Sequence, residues 1–205
     1  MDFEQNKASL PSDHKQKENN LADNVLIWLH DLVHLLAGIL LVLLLLFRIV
    51  IVSGPSMNAT LLDGDFLLLL SNIFYTEPQA GDIVVASKDS FKDGEPIIKR
   101  VIATEGQEVD IDFEAGVVYV DGVALTEPYT LTPTNRMEGV VFPLVVDEGH
   151  IFVMGDNRNL SKDSRNPEIG LVDTREVLGK AIFLLYPGTD GGNVEPQYNR
   201  IGALS

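Results

Sequence analysis

Residues 32–52 read LVHLLAGILLVLLLLFRIVIV, and this stretch decides how the chain is organised. It carries one formal charge, at Arg48, and one histidine, at His34. As a helix with a rise of ~1.5 Å per residue it extends about 31 Å, which matches the ~30 Å hydrocarbon core of a bilayer. Residues 39–47 are apolar all round, whereas a helix of a soluble core keeps a polar face. The stretch therefore predicts a transmembrane helix over residues 23–52.

A cleaved signal peptide is the main alternative for this segment. Its apolar region would have roughly 7–15 residues and would follow a short leader. Both the apolar run and the polar leader are too long here, so an uncleaved signal anchor fits better. Residues 1–22 lack a periodic apolar pattern and predict a disordered cytoplasmic tail. Because acids count little in the positive-inside rule, we expect a single-pass protein of the cell membrane with residues 53–205 on the extracytoplasmic side.

Composition excludes several classes of function. The 205 residues carry a formal net charge of −15, which argues against a nucleic-acid partner because phosphates need Lys and Arg. No cysteine is present, so disulfides and thiolate metal sites are excluded. None of the four histidines stands in a metal-ligand pattern. The sequence thus predicts no metal site and no cofactor.

Residues 53–205 contain short β-type runs separated by turn signals such as Asp63-Gly64 and Pro187-Gly188. The run GVVYVDGVAL predicts a hairpin with Asp121-Gly122 at its tip. We expect a mostly β fold, a twisted set of several sheets behind one N-terminal transmembrane helix. The predicted strands are 66–70, 82–86, 97–104, 108–113, 117–120, 151–154 and 181–186.

Three segments are candidates for chemistry. In residues 53–61, SGPSMNATL, a Gly-Pro-Ser turn can expose the Ser56 hydroxyl beside free backbone N–H groups. In residues 97–103, IIKRVIA, an inward-facing Lys99 would be desolvated, which lowers the pKa of its amine and allows it to accept a proton from a serine. Residues 154–165, MGDNRNLSKDSR, form a loop that can orient such a lysine. Each segment alone also fits a linker, an exposed strand or a surface loop.

In combination and in this order, the three segments resemble bacterial type I signal peptidases (leader peptidases), a family with a serine/lysine dyad. SGPSMNATL is similar to the family's S-G-P-S-M-x-P-T-L, and KRVIA at 99–103 is similar to K-R-V-I-G. GDNRNLSKDSR at 155–165 resembles G-D-N-R-x-x-S-x-D-S-R. Ala59 replaces the family proline, for which we expect looser geometry without loss of chemistry. GDIVV at 81–85 and IGLV at 169–172 are further similarities, and the resemblance covers about residues 35–186.

The resemblance implies a role for each matching residue. Ser56 is the nucleophile, Lys99 the general base, and Ser161 forms a hydrogen bond that orients the lysine. The backbone N–H of Ser56 holds the oxyanion, with Ser53 as a candidate helper. The implied ion pairs near the site join Asp163 to Arg165 and Arg100 to Asp156.

The implied function is a membrane-bound serine endopeptidase that cleaves signal peptides from exported precursor proteins. Its partners would be those precursors, the lipid bilayer and, by proximity, the export translocon. We expect an apolar rim near the bilayer, with Phe66 and residues 67–70 as candidates. Two alternatives stay open: a self-cleaving repressor-like serine/lysine protease, and an anchored non-catalytic β-domain such as a pseudoenzyme or binding module.

Overall fold

A computed structural model describes residues 13–88, 91 and 94–204. The chain separates into two compact units, Met1–Leu44 and Leu45–Ser205. Helix α1 runs over Asp13–Leu46. Residues 1–12 of the predicted disordered tail lie outside the described residues, but 13–22 are helical, so that part of the prediction is wrong. Glutamate, glutamine and lysine favour helix, so α1 extends N-terminally from its apolar part.

The apolar part of α1 is long enough to cross a membrane. Residues Asn24–Leu46 have a mean hydropathy of 2.4, and none of this segment is buried inside the protein. At a rise of ~1.5 Å per residue, its 23 residues extend about 34 Å. These properties fit a membrane-anchored protein.

The C-terminal end of the predicted transmembrane helix is wrong. The helix ends at Leu46, and strand β1 covers Phe47–Ile51 rather than continuing the helix to Val52. The β-branched residues of this segment favour a strand. Their backbone pairs in antiparallel fashion with β2, with Phe47 opposite Leu70 and Ile51 opposite Phe66.

The second unit is built from two antiparallel sheets, which confirms the predicted mostly β fold with one N-terminal helix. The larger sheet has the strand order β1-β2-β11-β3-β4-β9-β10, with β12 paired to β11, and the smaller has the order β7-β6-β5-β8. After β1 the strands are β2 (Phe66–Ser71), β3 (Ile83–Ala86), β4 (Ile97–Thr104), β5 (Glu108–Asp112), β6 (Val117–Val120), β7 (Val123–Ala124), β8 (Leu144–Val145), β9 (His150–Met154), β10 (Val172–Asp173), β11 (Val177–Tyr186) and β12 (Gly202–Ala203). Two short 3-10 helices lie at Thr174–Glu176 and Tyr198–Arg200.

Local patterns predicted several of these elements well. Strands β4 and β6 have the predicted bounds. The predicted hairpin joins β6 to β7, and Asp121 and Gly122 at its tip both have positive φ, as this kind of two-residue turn requires. One core cluster, which includes Met57, Leu61 and Leu67, packs under the segment that follows β1.

Candidate active site

The segment between β1 and β2 forms a closed loop, the serine loop (residues 52–65), that carries Ser56. At its base Val52 N donates to the Asp65 carbonyl (2.9 Å) and Gly64 N donates to the Val52 carbonyl (2.9 Å). Within it, Leu61 N donates to the Met57 carbonyl at 2.9 Å. Met57 and Leu61 are both buried in the core. The residue next to Ser56 thus anchors the loop, while Ser56 itself stays half-buried at its surface.

Lys99 lies on β4, in the interior of the larger sheet. Its Cα partner on β3 is Val84, and Lys99 is only 4% exposed. Lys99 Nζ lies 2.8 Å from Ser56 Oγ and also donates to the Ile98 carbonyl at 2.9 Å. The structure therefore brings the predicted nucleophile and the predicted base into hydrogen-bond contact.

A cleft of 630 Å³ opens beside this pair. One wall comes from the end of β1 and the start of the serine loop, including Ser53, and the other from residues 95–99. Aliphatic side chains and prolines make up much of the lining, such as Val50, Ile97 and Pro96. This arrangement can hold an extended peptide of mainly small or apolar side chains against a serine hydroxyl.

The 155–165 loop fixes the backbone around Ser56. Asn157 N donates to the Ser56 carbonyl at 3.0 Å, and Asn157 Nδ2 donates to the Pro55 carbonyl at 3.0 Å. A Cβ on Gly155 would lie 2.4 Å from the Ser56 carbonyl oxygen, so a residue without a side chain is needed there. The two segments therefore pack backbone against backbone.

The predicted hydrogen bond between Ser161 and Lys99 is absent from the part of the chain that the structure describes. Ser161 is fully buried, yet its hydroxyl has no hydrogen-bond partner among the described residues. Its Oγ is directed towards Gly155, where a Cβ would come within 2.2 Å of it. Lys99 instead contacts Ser56 and the Ile98 carbonyl.

Two buried ion pairs lie where the sequence placed them. Arg100 donates from Nε and a terminal nitrogen to both oxygens of Asp156, at 2.9 and 2.8 Å. Arg165 makes the same two-point contact with Asp163, at 2.8 Å for each bond. All four side chains are at most 2% exposed. The geometry matches the bidentate contact that holds a guanidinium and a carboxylate in fixed orientation.

Sequence reasoning missed several residues that support this site. Thr60 Oγ1 donates to Asp156 at 2.5 Å and so joins the serine loop to the Arg100 pair. Glu127 binds the buried Arg158 with both oxygens, at 2.8 and 2.6 Å. The Tyr129 ring stacks on the Arg100 guanidinium, whose carbon lies 4.1 Å from the ring centroid. Thr60 lies within the quoted motif, but Glu127 and Tyr129 lie in a stretch without any pattern.

Two of the five residues predicted for the apolar rim, Leu67 and Leu69, are wrong. Leu67 and Leu69 alternate into the core and are fully buried, because side chains of a strand point to opposite faces in turn. Phe66 is 38% exposed but does not line the cleft. The apolar cleft wall is formed instead by β1 and by residues 96–98.

Comparisons with known proteins show which family the chain belongs to. The family described as signal peptidase, peptidase S26, matches residues 25–186. The chain belongs to the signal peptidase family. It is 32% identical to signal peptidase I of Bacillus licheniformis over 84% of this chain and 95% of that protein. It is 35% identical to a probable signal peptidase I-1 of Synechocystis over 78% of this chain and 83% of that one. The chain is also similar to a signal peptidase I of known crystal structure from Enterococcus faecalis, with 30% identity and a TM-score of 0.43. The match covers 51% of this chain and 96% of the Enterococcus chain.

Membership of the signal peptidase family confirms the predicted class of enzyme. The chain is a hydrolase of the serine endopeptidase kind. Its N-terminal apolar helix fits the predicted membrane anchor.

Proposed function

We propose that this protein removes signal peptides from exported precursors with Ser56 as nucleophile and Lys99 as general base. The observation that carries the proposal is the 2.8 Å approach of Lys99 Nζ to Ser56 Oγ at a lysine that is 4% exposed. Burial disfavours the charged ammonium, so we expect the pKa of Lys99 to lie below its usual range. A neutral amine at this distance can accept the hydroxyl proton.

The reaction needs no group beyond those of the chain and water. Ser56 Oγ bonds to the scissile carbonyl carbon while its proton moves to Lys99 Nζ. The backbone N–H of Ser56 donates to the oxyanion, and Ser53, which lines the same cleft, assists. The C–N bond then breaks, and Lys99 returns the proton to the leaving amine. Water, activated by the same amine, hydrolyses the acyl-enzyme.

Precursor binding is proposed to use the cleft between β1 and residues 95–99. The segment before the scissile bond would enter as an extended strand, since its backbone can pair with the walls while small side chains fit shallow apolar pockets. The lysine side of this cleft would be kept rigid by two buried ion pairs, Arg100 with Asp156 and Arg165 with Asp163.

The dyad is tested with purified protein in detergent and a signal-bearing precursor. Ser56→Ala and Lys99→Ala should each abolish cleavage, whereas Ser87→Ala, whose hydroxyl donates to the Gly94 carbonyl, should cleave like wild type. Lys99→Arg should also be inactive, because a guanidinium does not lose its proton in proteins. Cleavage by Ser56→Ala at the wild-type rate would remove the assignment and indicate another catalytic site, whereas a wild-type protein that does not cleave would favour the non-catalytic alternative.

The pH profile tests the base separately. With chemistry limiting, the rate should rise about tenfold per pH unit below the pKa of Lys99 and level off above it, because the neutral amine is the active form. A rate that stays flat from mildly acidic to alkaline pH would contradict Lys99 as the base.

We further propose that Asn24–Leu46 crosses the cell membrane once, with residues 53–205 outside and the tail inside. Arg48 lies after the span, so charge gives weak guidance, and direct labelling decides. The absence of cysteine offers a clean background for single substitutions. Glu195→Cys, at an exposed position, should react with a membrane-impermeant thiol reagent in intact cells, and Ser9→Cys only after lysis. The reverse pattern would overturn the orientation. Cross-linking of the same variants in cells would test proximity to the translocon.

A further inference from the structure

The C-terminal segment extends beyond the family match, which ends at residue 186, and returns to the larger sheet. Strand β12 pairs with β11, with Ala203 opposite Phe183. Leu204 N donates to the Ile182 carbonyl at 3.1 Å, and Leu204 packs against the core cluster under the serine loop. This anchoring holds the preceding 3-10 helix, Tyr198–Arg200, in a defined place.

Arg200 contacts the serine loop at two points. Its terminal nitrogens donate to both oxygens of Asp65, at 3.0 and 2.6 Å. One of them also donates to the Thr60 carbonyl at 3.1 Å. The side chain of Asp65 is fully buried and that of Arg200 is 15% exposed. Water therefore competes little for these contacts.

Asp65 connects the serine loop to the C-terminal segment. Its carboxylate accepts from Leu62 N at 2.8 Å and from Gly188 N at 2.7 Å. A Cβ on Gly188 would lie 2.3 Å from the Asp63 carbonyl oxygen, so the C-terminal segment approaches the loop as closely as backbone can. The loop base is thus held by the chain that follows the family match.

Thr60 is held from both sides as a result. Arg200 binds its carbonyl, and Asp156 accepts from its hydroxyl at 2.5 Å. Asp156 in turn binds Arg100, the neighbour of Lys99 on β4. Thr60 lies four positions after Ser56, so the position of the Thr60 peptide limits where the nucleophile can lie.

We propose that Arg200 is a positioning residue that fixes the serine loop relative to Lys99. The inference rests on the proposed Ser56/Lys99 function. Arg200 does not line the cleft, so substrate binding does not depend on it. Without it the loop relaxes, and fewer molecules hold the hydroxyl in reach of the amine.

The test is steady-state cleavage by the full chain in detergent. Arg200→Ala should lower kcat about 10- to 100-fold with KM unchanged, because displacement of a reacting group by a fraction of an ångström to 1 Å has effects of this order. Arg200→Lys keeps the charge but loses the two-point contact with Asp65. Its kcat should lie between that of wild type and that of Arg200→Ala. Guanidinium ion added to Arg200→Ala at non-denaturing concentration should restore part of kcat, which a role in folding alone does not predict.

Arg175→Ala is the matched control. Arg175 also lies in a 3-10 helix, and its guanidinium also binds both oxygens of an aspartate, Asp173. Its side chain is 88% exposed, however, and it is far along the chain from the serine loop. Its kcat should equal that of wild type.

Three results would overturn the proposal: wild-type kcat for Arg200→Ala, a rise in KM with kcat unchanged, or a loss of kcat that neither lysine nor guanidinium restores. If Arg200→Ala does not fold, a wild-type kcat in Arg200→Lys would overturn the proposal instead, because lysine cannot make the two-point contact. Failure of the dyad itself is recognised independently, by cleavage in Ser56→Ala.

Discussion

The two members of the proposed dyad are held in different ways. Ser56 lies on a loop that needs tethers: backbone hydrogen bonds at its base, two buried apolar side chains and the Arg200 contacts. Lys99 lies on β4, which pairs with β3 on one side and β9 on the other. Strand pairing places the backbone of the lysine, whereas contacts distant in sequence place the serine. The serine side should therefore be the more sensitive to change outside the motifs.

The lysine side has its own support, of another kind. The described residues include three Arg–carboxylate pairs there, in which every arginine is at most 2% exposed. They join Arg100 to Asp156, Arg158 to Glu127 and Arg165 to Asp163. Such pairs contribute orientation more than net stability, but removal of one partner leaves a buried charge without compensation. Asp156 is shared, since it also accepts from Thr60 of the serine loop.

Asp156→Ala should have the largest effect, because it breaks the support of both sides at once. The buried guanidinium of Arg100 would lose both contacts to a carboxylate, and Thr60 would lose its acceptor. We expect the free energy of unfolding to fall by about 3–5 kcal/mol and cleavage to be lost or nearly so. Urea unfolding in detergent, followed by proteolysis of the unfolded fraction, measures the first, and precursor cleavage the second.

An exposed pair provides the control for Asp156→Ala. Arg175→Ala removes a pair whose arginine is at the surface, and its unfolding midpoint should stay close to that of wild type. If the Asp156 and Arg175 variants unfold alike, the buried pair does not carry the role assigned to it, and the two sides of the dyad are not joined through it.

Tyr129→Ala should have an intermediate effect, confined to the lysine side. Its ring centroid lies 4.1 Å from the Arg100 guanidinium, and its hydroxyl donates to Glu127 at 3.1 Å. Burial, with the nearby Glu127, raises the pKa of Tyr129 to about 12, so the phenol remains a donor under all assay conditions. Loss of the ring should lower the free energy of unfolding by about 1–3 kcal/mol, from the cation–π contact and lost packing.

Tyr129→Phe separates the ring from the hydroxyl. It keeps the stacking on Arg100 and loses one hydrogen bond, so its destabilisation should be about 1 kcal/mol and less than that of Tyr129→Ala. Equal destabilisation in the two variants would mean that stacking on Arg100 contributes nothing, and that the hydroxyl contact to Glu127 explains the position.

Local sequence predicted the elements whose cause is local. The hairpin at Asp121-Gly122 follows from two residues that tolerate positive φ, and β4 follows from an apolar β-branched run. The residues of the proposed dyad were predicted because their motifs resemble a known family. The end of α1 at Leu46 was missed because an apolar segment fits a helix and a strand equally well by composition.

The missed support residues share a different cause. Arg200 and Asp65 are 135 positions apart, and Arg158 and Glu127 are 31 apart, so neither pair leaves a spacing pattern in the chain. The ion pair of Asp163 and Arg165, two positions apart, could be proposed because both lie inside one motif. The Ser161 hydroxyl, which lacks a partner among the described residues, shows the limit of a motif: it gives the neighbours of a residue but not the direction of its hydroxyl.

Glu138 is a buried carboxylate near the ion pair of Asp163 and Arg165, and its charge is only partly compensated. Its side chain is 2% exposed, and neither carboxylate oxygen has a hydrogen-bond partner among the described residues. Arg136 Nε lies 3.3 Å from Glu138 Oε1 and forms an ion pair with it, but the geometry is not that of a hydrogen bond. The Arg136 side chain is also 55% exposed, so water weakens this pair. Burial and then the charge of Asp163 raise the pKa of Glu138, while Arg165, Arg136 and the backbone N–H of Asp163 oppose the rise.

Glu138→Gln should therefore stabilise the protein at neutral pH, as the smallest of these effects. Because the pKa of Glu138 is higher in the folded state than in the unfolded state, the folded state binds more protons, and stability falls as pH rises through the unfolded pKa of about 4.3 towards the folded value. Glutamine does not titrate, so the gain should be present at pH 7 and vanish below about pH 4. Urea unfolding of both proteins across this range measures it, with Glu114→Gln, at an exposed position, as the control that should follow wild type. If Glu138→Gln is more stable than wild type by the same amount at every pH, the effect comes from packing and not from the charge of Glu138.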